Sequence, residues 1–426
     1  MSKRIHWAWF VLTAAFVTVF TAYSIRLSYG ILLPEMIGSL KITKGEAGLI
    51  ASSFYLTYTL FSPLLGFWVD RVDTRKLLVL FSLILAAGTF LMGKPQSLFQ
   101  ACLFFAVVGV GSAAMWTPVA TVVQRWFGVK RRGTVLGVLS IGFAIGYGTM
   151  GLILPPLVAR YDWRACWLFL AGLAFALVPL NGVLLKTRPE EINLKPWGND
   201  PDPVVESPSS IPHGGMSYRD LLRLPSLWLA AISYFFIGFT SYVVNLFIVT
   251  YGTMELKVPF AQAAQLASAI AFSGIIGGLL IPILSDSLGR KKCLLLIHGS
   301  LALSILLIIG AGSHWTALFL TVSVFGIFYA AAWPMYAAAA ADFFPSGATG
   351  SVLGFWTIFY GIALVLAPTL GGYLADLTGT FVWPFLLAAA TGVLGAIFFS
   401  LVKKYEQPRK GEDSPKRVAG LKKSMV

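Results

Sequence analysis

Apolar residues lie along the chain in long runs that polar breaks separate. Twelve of these runs approach or exceed the ~20 residues that a helix needs to cross a bilayer. Alternating apolar and polar segments of about ten residues, which are typical of membrane β-barrels, do not occur in the sequence. The pattern therefore predicts an all-α integral membrane protein, with helices at approximately 7–36, 46–69, 77–94, 98–124, 133–159, 164–185, 226–253, 260–285, 293–312, 315–341, 349–374 and 381–402.

Composition supports this prediction and excludes other classes. Of the 426 residues, 57% are hydrophobic and 12% are charged, which is about half the charged fraction of soluble proteins. A soluble enzyme and a disordered chain are therefore excluded, and we expect no catalytic residues. The three cysteines, Cys102, Cys166 and Cys293, lack metal-ligand spacing. No phosphate-binding Gly-x-x-x-x-Gly-Lys-Ser/Thr loop is present either, so we expect no metal, no cofactor and no ATP-driven step.

A proline-rich polar segment divides the twelve runs into six and six. It predicts an N-terminal six-helix bundle at 1–185, a cytoplasmic linker at 186–225, a C-terminal bundle at 226–402 and a polar tail at 403–426.

Positive charge is sorted between the two sides of the predicted bundle. Of the 32 lysine and arginine residues, 25 fall on the side of the two termini and the linker, and six fall on the opposite side. The positive-inside rule then places both termini in the cytoplasm, which predicts a multi-pass protein of the cell inner membrane. It also explains the net charge of +14 without nucleic acid as a partner.

Two landmarks recur at about half the length of the chain. Asp70-Arg71 follows the second span, and Asp286 with Arg290 follows the eighth; the two aspartates are 216 residues apart. Trp116 in the fourth span and Trp333 in the tenth are 217 residues apart, and each lies next to a Thr-Pro or Pro. We therefore predict 12 transmembrane helices in two pseudo-symmetric six-helix bundles, related by an axis along the membrane normal.

The charged turns carry a family resemblance. Asp70-Arg71, and Asp286-Ser-Leu-Gly-Arg290-Lys-Lys, resemble the turn signature of the major facilitator superfamily, although Asp73 stands where the family usually has glycine. The resemblance covers all twelve spans and implies that Asp70, Arg71, Asp286 and Arg290 link helix ends and act in conformational gating. The alternative is that the basic residues only set membrane topology.

Arg26 is the one basic residue that falls inside a span. An arginine cannot lose its proton to escape burial, and burial of its charge costs several kcal/mol. The acidic residues near the spans all lie at span ends, so the natural counter-ion is a substrate anion, held by the planar guanidinium as a carboxylate is held. The alternatives are that Arg26 reaches the membrane surface or forms a fixed ion pair.

A narrower resemblance adds to this interpretation. His6-Trp7-Ala8-Trp9 followed by Arg26 is similar to the first helix of the monocarboxylate porter family, and Trp126-Phe127 is similar to its fourth-to-fifth junction. Relatives in that family place an arginine in helix eight, whereas residues 265–284 here carry no charge.

Further candidate binding residues follow from the helical spacing and the repeat. Tyr23 shares a face with Arg26, and the repeat places Tyr242 opposite Arg26, with Asn245 one turn away. We expect Tyr242 and Asn245 to form the wall of the anion site that faces Arg26. The remaining candidates are aromatic residues of spans four, ten and eleven: Trp116, Tyr329, Trp333 and Tyr360.

These observations predict a secondary transporter of a small organic anion, a mono- or dicarboxylate, that works by alternating access in the lipid bilayer, as a monomer. Proton symport is implied by the resemblance alone. Anion exchange and uniport are open alternatives. A multidrug efflux antiporter and a non-transporting membrane sensor on the same scaffold are less favoured, because Arg26 suits an anion and no large soluble domain is present.

Overall fold

The structure, a computed structural model, describes residues 6–69, 71–198, 218–345 and 347–405, with Phe67 described only in its backbone. Asp70 lies outside the described residues. This part of the chain contains fourteen α-helices: α1 (Trp7–Leu40), α2 (Lys44–Trp68), α3 (Thr74–Leu91), α4 (Leu98–Ser112), α5 (Thr117–Trp126), α6 (Arg132–Arg160), α7 (Trp163–Leu184), α8 (Tyr218–Leu222), α9 (Pro225–Thr250), α10 (Phe260–Leu288), α11 (Arg290–Ala311), α12 (Trp315–Phe343), α13 (Thr349–Thr378) and α14 (Val382–Ser400).

Twelve segments are long and apolar enough to span a membrane, which confirms the prediction. Helices α4 and α5 together form the fourth span, and the short α8 is not a span. Helices α1–α7 form the N-terminal half of the molecule, and α9–α14 form the C-terminal half. The proposed domain boundary at 186–225 stays a prediction.

Both ends of the described chain lie at one end of the bundle, which we call the terminal end. There Trp7 Nε1 donates to the carbonyl of Leu184 at 3.1 Å, and Ser226 Oγ donates to the carbonyl of Lys403 at 2.9 Å. The opposite end, which we call the distal end, carries the turns that follow α1, α3, α6, α9, α11 and α13. A π-helical turn (Tyr251–Glu255) extends α9 at this end.

The fourth span is interrupted, whereas its repeat-related partner is continuous. Helix α4 ends at Ser112 and α5 begins at Thr117, with Pro118 in its first turn. Helix α12 runs without a break past Pro334. Residues 113–116 therefore form turns at mid-span in the N-terminal half only.

The start of the predicted linker folds against the N-terminal half. The Trp197 ring lies 4.9 Å from the Trp9 ring between centroids, and the Arg131 guanidinium lies 4.3 Å from the centroid of Trp197. The backbone N–H of Trp197 also donates to the carbonyl of Trp126 at 2.9 Å. Residues 199–217 lie outside the described part of the chain.

The two halves meet along two glycine-containing seams that include the distal end. In the seam between α2 and α13, a Cβ atom on Gly48 would overlap the carbonyl of Pro368, and one on Gly372 would overlap the carbonyl of Lys44. In the seam between α6 and α10, Ser268 Oγ donates to the carbonyl of Gly148 at 2.7 Å. Glycine lets these helix backbones approach closely, and this contact closes the distal end.

Candidate functional site

Arg26 of the first span contacts the C-terminal half of the molecule. Its side chain projects from α1, the residue is 8% exposed, and its Nη2 donates to Tyr242 Oη on α9 at 2.6 Å. These two residues occupy the same repeat position, 216 apart. The structure therefore brings together the pair that the repeat predicts, and the bond is charge-assisted because its donor is ionised.

Aromatic rings surround the guanidinium group of Arg26. Its central carbon lies 4.8–5.8 Å from five ring centroids, those of Tyr58, Tyr55, Tyr23, Phe54 and Tyr242. Distances below about 6 Å permit cation–π attraction. Helices α1, α2 and α9 thus compensate in part for the lost hydration of the charge, with neutral groups rather than with a carboxylate.

Two small cavities flank Arg26. The first, toward the seam between α1 and α9, is lined by Tyr29, Tyr55, Tyr242 and Asn245 together with small and apolar residues. The second, toward the interrupted fourth span, is lined by Tyr23, Tyr58, Ser112, Met115 and Trp116 together with Ala22. Both sets of lining residues include Arg26 and no acidic side chain among the described residues.

Buried polar atoms without hydrogen-bond partners mark both cavities. Within the described part of the chain, no partner reaches Arg26 Nε, Asn245 Oδ1 or Ser112 Oγ. The amide nitrogen of Asn245 does have a partner, because Nδ2 donates to the backbone carbonyl of Ser241 at 3.1 Å. A buried polar group without a partner costs free energy, so such atoms indicate a place where a ligand or water can bind.

The other predicted residues lie at different distances from the charge. The Trp116 ring meets the Tyr23 ring edge-on at 6.3 Å and the Trp333 ring at 6.2 Å, although Trp333 is 53% exposed. The Tyr360 ring lies 6.3 Å from that of Tyr242 and stacks on Tyr234 at 4.6 Å. These side chains form a second layer around the rings that contact Arg26.

The ring contact that the structure shows for Tyr329 lies within its own helix. Tyr329 is partly buried and stacks on Phe325 of its own helix, with the centroids 6.1 Å apart. Neither set of described residues that line the two cavities beside Arg26 includes Tyr329.

The sequence prediction missed the contribution of α2. Phe54, Tyr55 and Tyr58 all place their rings within 6 Å of the guanidinium. A signal was available, because these residues share one helical face at i, i+1 and i+4, and a buried arginine without an acidic partner requires rings or dipoles. The predicted binding residues come from spans one, four, seven, ten and eleven, and none comes from the second span.

The charged turn of the C-terminal half ties three helices together. Arg290 at the start of α11 contacts Asp286 of α10 at 2.5 Å and Asp342 of α12 at 3.0 Å, and it also donates to Ser285 Oγ. The partner Asp342 was not predicted. In the N-terminal half Arg71 is exposed, and the side chain of Asp70 lies outside the described residues.

Asp73 replaces the usual glycine of its turn without adopting a left-handed conformation. Its φ is −58°, and its carboxylate caps α3 by accepting from the backbone N–H of Arg75 at 3.0 Å. Burial raises the pKa of Asp73, but hydrogen bonds from Thr187 Oγ1 and two backbone N–H groups outweigh it and hold the pKa below its ordinary value. The equivalent residue, Gly289, has φ +91°, which favours glycine.

Solved structures share this architecture. The chain superposes with a TM-score of 0.75 on a bacterial homologue of the human lysosomal transporter Spinster, solved in an inward-facing conformation. The match covers 96% of this chain and 100% of that one at 15% sequence identity, which establishes the fold alone.

Curated relatives also match most of the chain. A probable sulfoacetate transporter, SauU, of Cupriavidus necator is 24% identical over 99% of this chain and 98% of its own length. Monocarboxylate transporter 6 of Homo sapiens is 26% identical over 93% of this chain and 81% of its own length. The membrane sensor protein UhpC of Salmonella typhimurium is 24% identical over 64% of each chain.

The family assignment rests on nearly the whole length of the protein. The family model described as Major Facilitator Superfamily matches residues 14–313 and again residues 255–424. Together with the twelve spans and the internal repeat, this match shows that the chain belongs to the major facilitator superfamily.

Proposed function

We propose that the protein is a secondary transporter of small organic anions and that Arg26 binds the anionic group of the substrate. The observation that carries the proposal is a permanently charged side chain, buried between the two halves, whose immediate neighbours are neutral rings and one hydroxyl. A buried ionisable group inside a membrane protein is a mark of a substrate pathway.

The chemistry of the site favours a carboxylate. A guanidinium group offers parallel N–H donors that fit two oxygens of a carboxylate or a sulfonate, and Nε of Arg26 has no partner within the described residues. The relatives named for sulfoacetate and for monocarboxylates support the same class. The small size of both cavities favours a short substrate.

The seams between the halves supply a mechanism of alternating access. At the distal end, Asp376 of α13 accepts hydrogen bonds from the backbone N–H groups of Lys44 and Gly45, at 3.0 and 2.7 Å, in the first turn of α2. In the proposed cycle these bonds break when the halves rock apart. We assign the terminal end to the cytoplasm of an inner-membrane protein on the basis of the charge sorting.

We also propose that the protein transports the anion together with a proton. No Asp, Glu or His of the described residues lines the cavities beside Arg26, so a coupled proton would travel on the substrate or on a group farther away, such as Asp376. Uniport and anion exchange differ from symport in their response to a pH gradient, so one experiment separates the three.

The charged turns act as conformational gates in this proposal. Arg290 holds α10, α11 and α12 together at the terminal end through Asp286 and Asp342, so these helices would move as one unit. We extend the same role to Asp70 and Arg71 on the basis of the repeat.

The test is uptake by the purified protein in proteoliposomes. A panel of labelled mono- and dicarboxylates is offered with and without an inward pH gradient, and Arg26→Gln is compared with Arg160→Gln, which changes an exposed arginine at the distal end. We expect saturable uptake of at least one anion, lost in Arg26→Gln and kept in Arg160→Gln. Uptake that survives Arg26→Gln would refute the role of Arg26.

The same assay tests the second candidate, a membrane sensor, which the similarity to UhpC favours. Binding of an anion that depends on Arg26 without any uptake would support a sensor and contradict transport.

A further inference from the structure

Asn245 carries an oriented hydrogen-bond acceptor that no described residue satisfies. The residue is 4% exposed and lines the same cavity as Arg26 and Tyr242. Its Nδ2 donates to the carbonyl of Ser241, one turn back on α9. That bond fixes the orientation of the amide, so Oδ1 can only accept, and Oδ1 has no partner among the described residues.

Arg26, which lines the same cavity, carries a hydrogen-bond donor that no described residue satisfies. Its Nε is a donor without a partner in the described part of the chain, although its Nη2 is bonded to Tyr242. Two residues that line the cavity therefore carry an unused donor, on a cation, and an unused acceptor, on an amide. A ligand that satisfies both atoms must bring an anionic acceptor and, a short distance away, a donor.

The donor is better supplied by a hydroxyl than by an ammonium group. An ammonium group would be repelled by Arg26, and the described lining residues include no carboxylate to compensate. A hydroxyl is neutral and can donate to Oδ1 while its carrier remains an anion. Because the cavity is small, the hydroxyl must lie on a carbon close to the charged group.

We propose that Asn245 is a specificity-determining residue that selects short hydroxycarboxylates, with the carboxylate on Arg26 and the hydroxyl donating to Asn245 Oδ1. This inference rests on the proposed function, since it assumes an anion at Arg26. A site built to hydrogen-bond a hydroxyl discriminates against the analogue without it, because its own polar group is then left buried and unpaired.

Two matched pairs of anions test the inference: glycolate with acetate, and malate with succinate. Uptake into proteoliposomes is measured for both members of each pair, and the readout is the ratio of their uptake efficiencies. We expect the wild-type protein to favour the hydroxylated member of at least one pair by about tenfold or more, as one unpaired buried acceptor implies.

Variants of Asn245 then assign the selectivity to this residue. Asn245→Leu keeps a similar volume without the acceptor, and Asn245→Ala provides a second variant should the first fail to fold. We expect both to bring the ratio close to one. Ser112→Ala, which changes the unpaired hydroxyl of the other cavity, should keep the wild-type ratio.

The outcomes separate this inference from the proposed function. If the protein transports no anion, the proposed function is wrong. If it transports anions but the wild-type ratio is close to one, a trapped water satisfies Asn245 and only the present inference is wrong. If the ratio is lost in Ser112→Ala and kept in the Asn245 variants, the hydroxyl binds in the other cavity and the assignment to Asn245 is also wrong.

Discussion

The two halves of the molecule repeat their packing but not their charges. A Cβ atom on Gly109 would overlap the carbonyl of Phe54 and the hydroxyl of Thr57, and one on Gly326 would overlap the same groups of Ile270 and Ser273. The packed residues are 216 or 217 positions apart. At the site, however, one repeat position holds the cation Arg26 and the other holds the neutral Tyr242.

The turns at the terminal end show the same difference. In the C-terminal half Arg290 at the start of α11 reaches across to Asp342 on α12. In the N-terminal half the arginine stands on the fourth span instead, because Arg125 donates to Thr74 Oγ1 at the start of α3, at 3.3 Å. Both halves therefore link the same pair of neighbouring helix ends. The arginine of the link stands on α11 in the C-terminal half and on the fourth span in the N-terminal half. The repeat therefore specifies where neighbouring helices within each half are linked, and not which residue type makes the link.

The largest expected effect tests the asymmetry of the site. We expect Arg26→Gln to lower uptake at least about 100-fold, since each hydrogen bond to a charged group contributes about 1.5–3 kcal/mol and a guanidinium can give two to a carboxylate. Arg26→Lys should retain little more uptake than Arg26→Gln, because an ammonium group lacks the planar pair of donors. Uptake and the yield of folded protein are measured together. Wild-type rates in Arg26→Lys would show that charge alone suffices.

The second prediction concerns a seam in which both halves supply small residues. Gly372→Leu should hinder closure of the distal end, because any side chain there meets the backbone of Lys44 and Gly45. Overpacking typically costs about 1–3 kcal/mol, so we expect about tenfold slower uptake and faster alkylation of a cysteine introduced at the distal mouth, in a background without native cysteines. Gly38→Leu is the matched control, since its Cβ would meet nothing within 4 Å. Equal behaviour of the two variants would argue against the seam as a gate.

The third prediction concerns the tie that differs between the halves. Because Arg290 keeps one carboxylate when the other is lost, Asp286→Asn or Asp342→Asn alone should change mouth accessibility by less than about twofold, at the lower end of the about 0.2–1 kcal/mol that exposed ion pairs contribute. The double variant should shift mouth accessibility about fivefold, since Arg290 then has lost both of these carboxylate partners. Cysteine alkylation at the distal mouth provides the measurement. Strictly additive single effects would indicate that the two carboxylates act independently.

The fourth prediction concerns Tyr242, the neutral member of the central pair. Tyr242→Phe removes one hydroxyl, so we expect apparent affinity to fall about fivefold, equivalent to about 1 kcal/mol, with the maximal rate nearly kept. Concentration-dependent uptake measures both quantities. A loss as large as that of Arg26→Gln would mean that the two halves contribute equally to binding.

Part of this picture could be predicted from the sequence because its signals are periodic. Long apolar runs predict the twelve spans. A single period of 216 residues predicts that Tyr242 lies opposite Arg26, and the structure places Arg26 Nη2 2.6 Å from Tyr242 Oη. That the two residues form an anion site stays a prediction. The lack of mid-span acids in the sequence favours a substrate anion over a fixed ion pair as the partner of Arg26, and the described rings around its guanidinium are neutral.

Other features depend on three-dimensional packing that the hydropathy pattern alone does not record. The rings of Tyr55 and Tyr58 reach Arg26 because α2 lies close to α1 at that depth, which hydropathy cannot indicate. The partner of Arg290 on α12 was missed because an ion pair between exposed ends of separate helices has no fixed spacing. The interruption at 113–116 was missed because the whole span is apolar and its Pro also occurs in the unbroken α12.

That interruption has a consequence for the shape of the site. In a continuous helix each residue is rotated by about 100° from the one before it, so neighbouring residues point in different directions. In the turns at 113–116, the neighbouring residues Met115 and Trp116 both line the cavity beside Arg26. Irregular backbone is tolerated there because it faces protein and not lipid. The break thus lets two consecutive side chains of the fourth span face the same cavity.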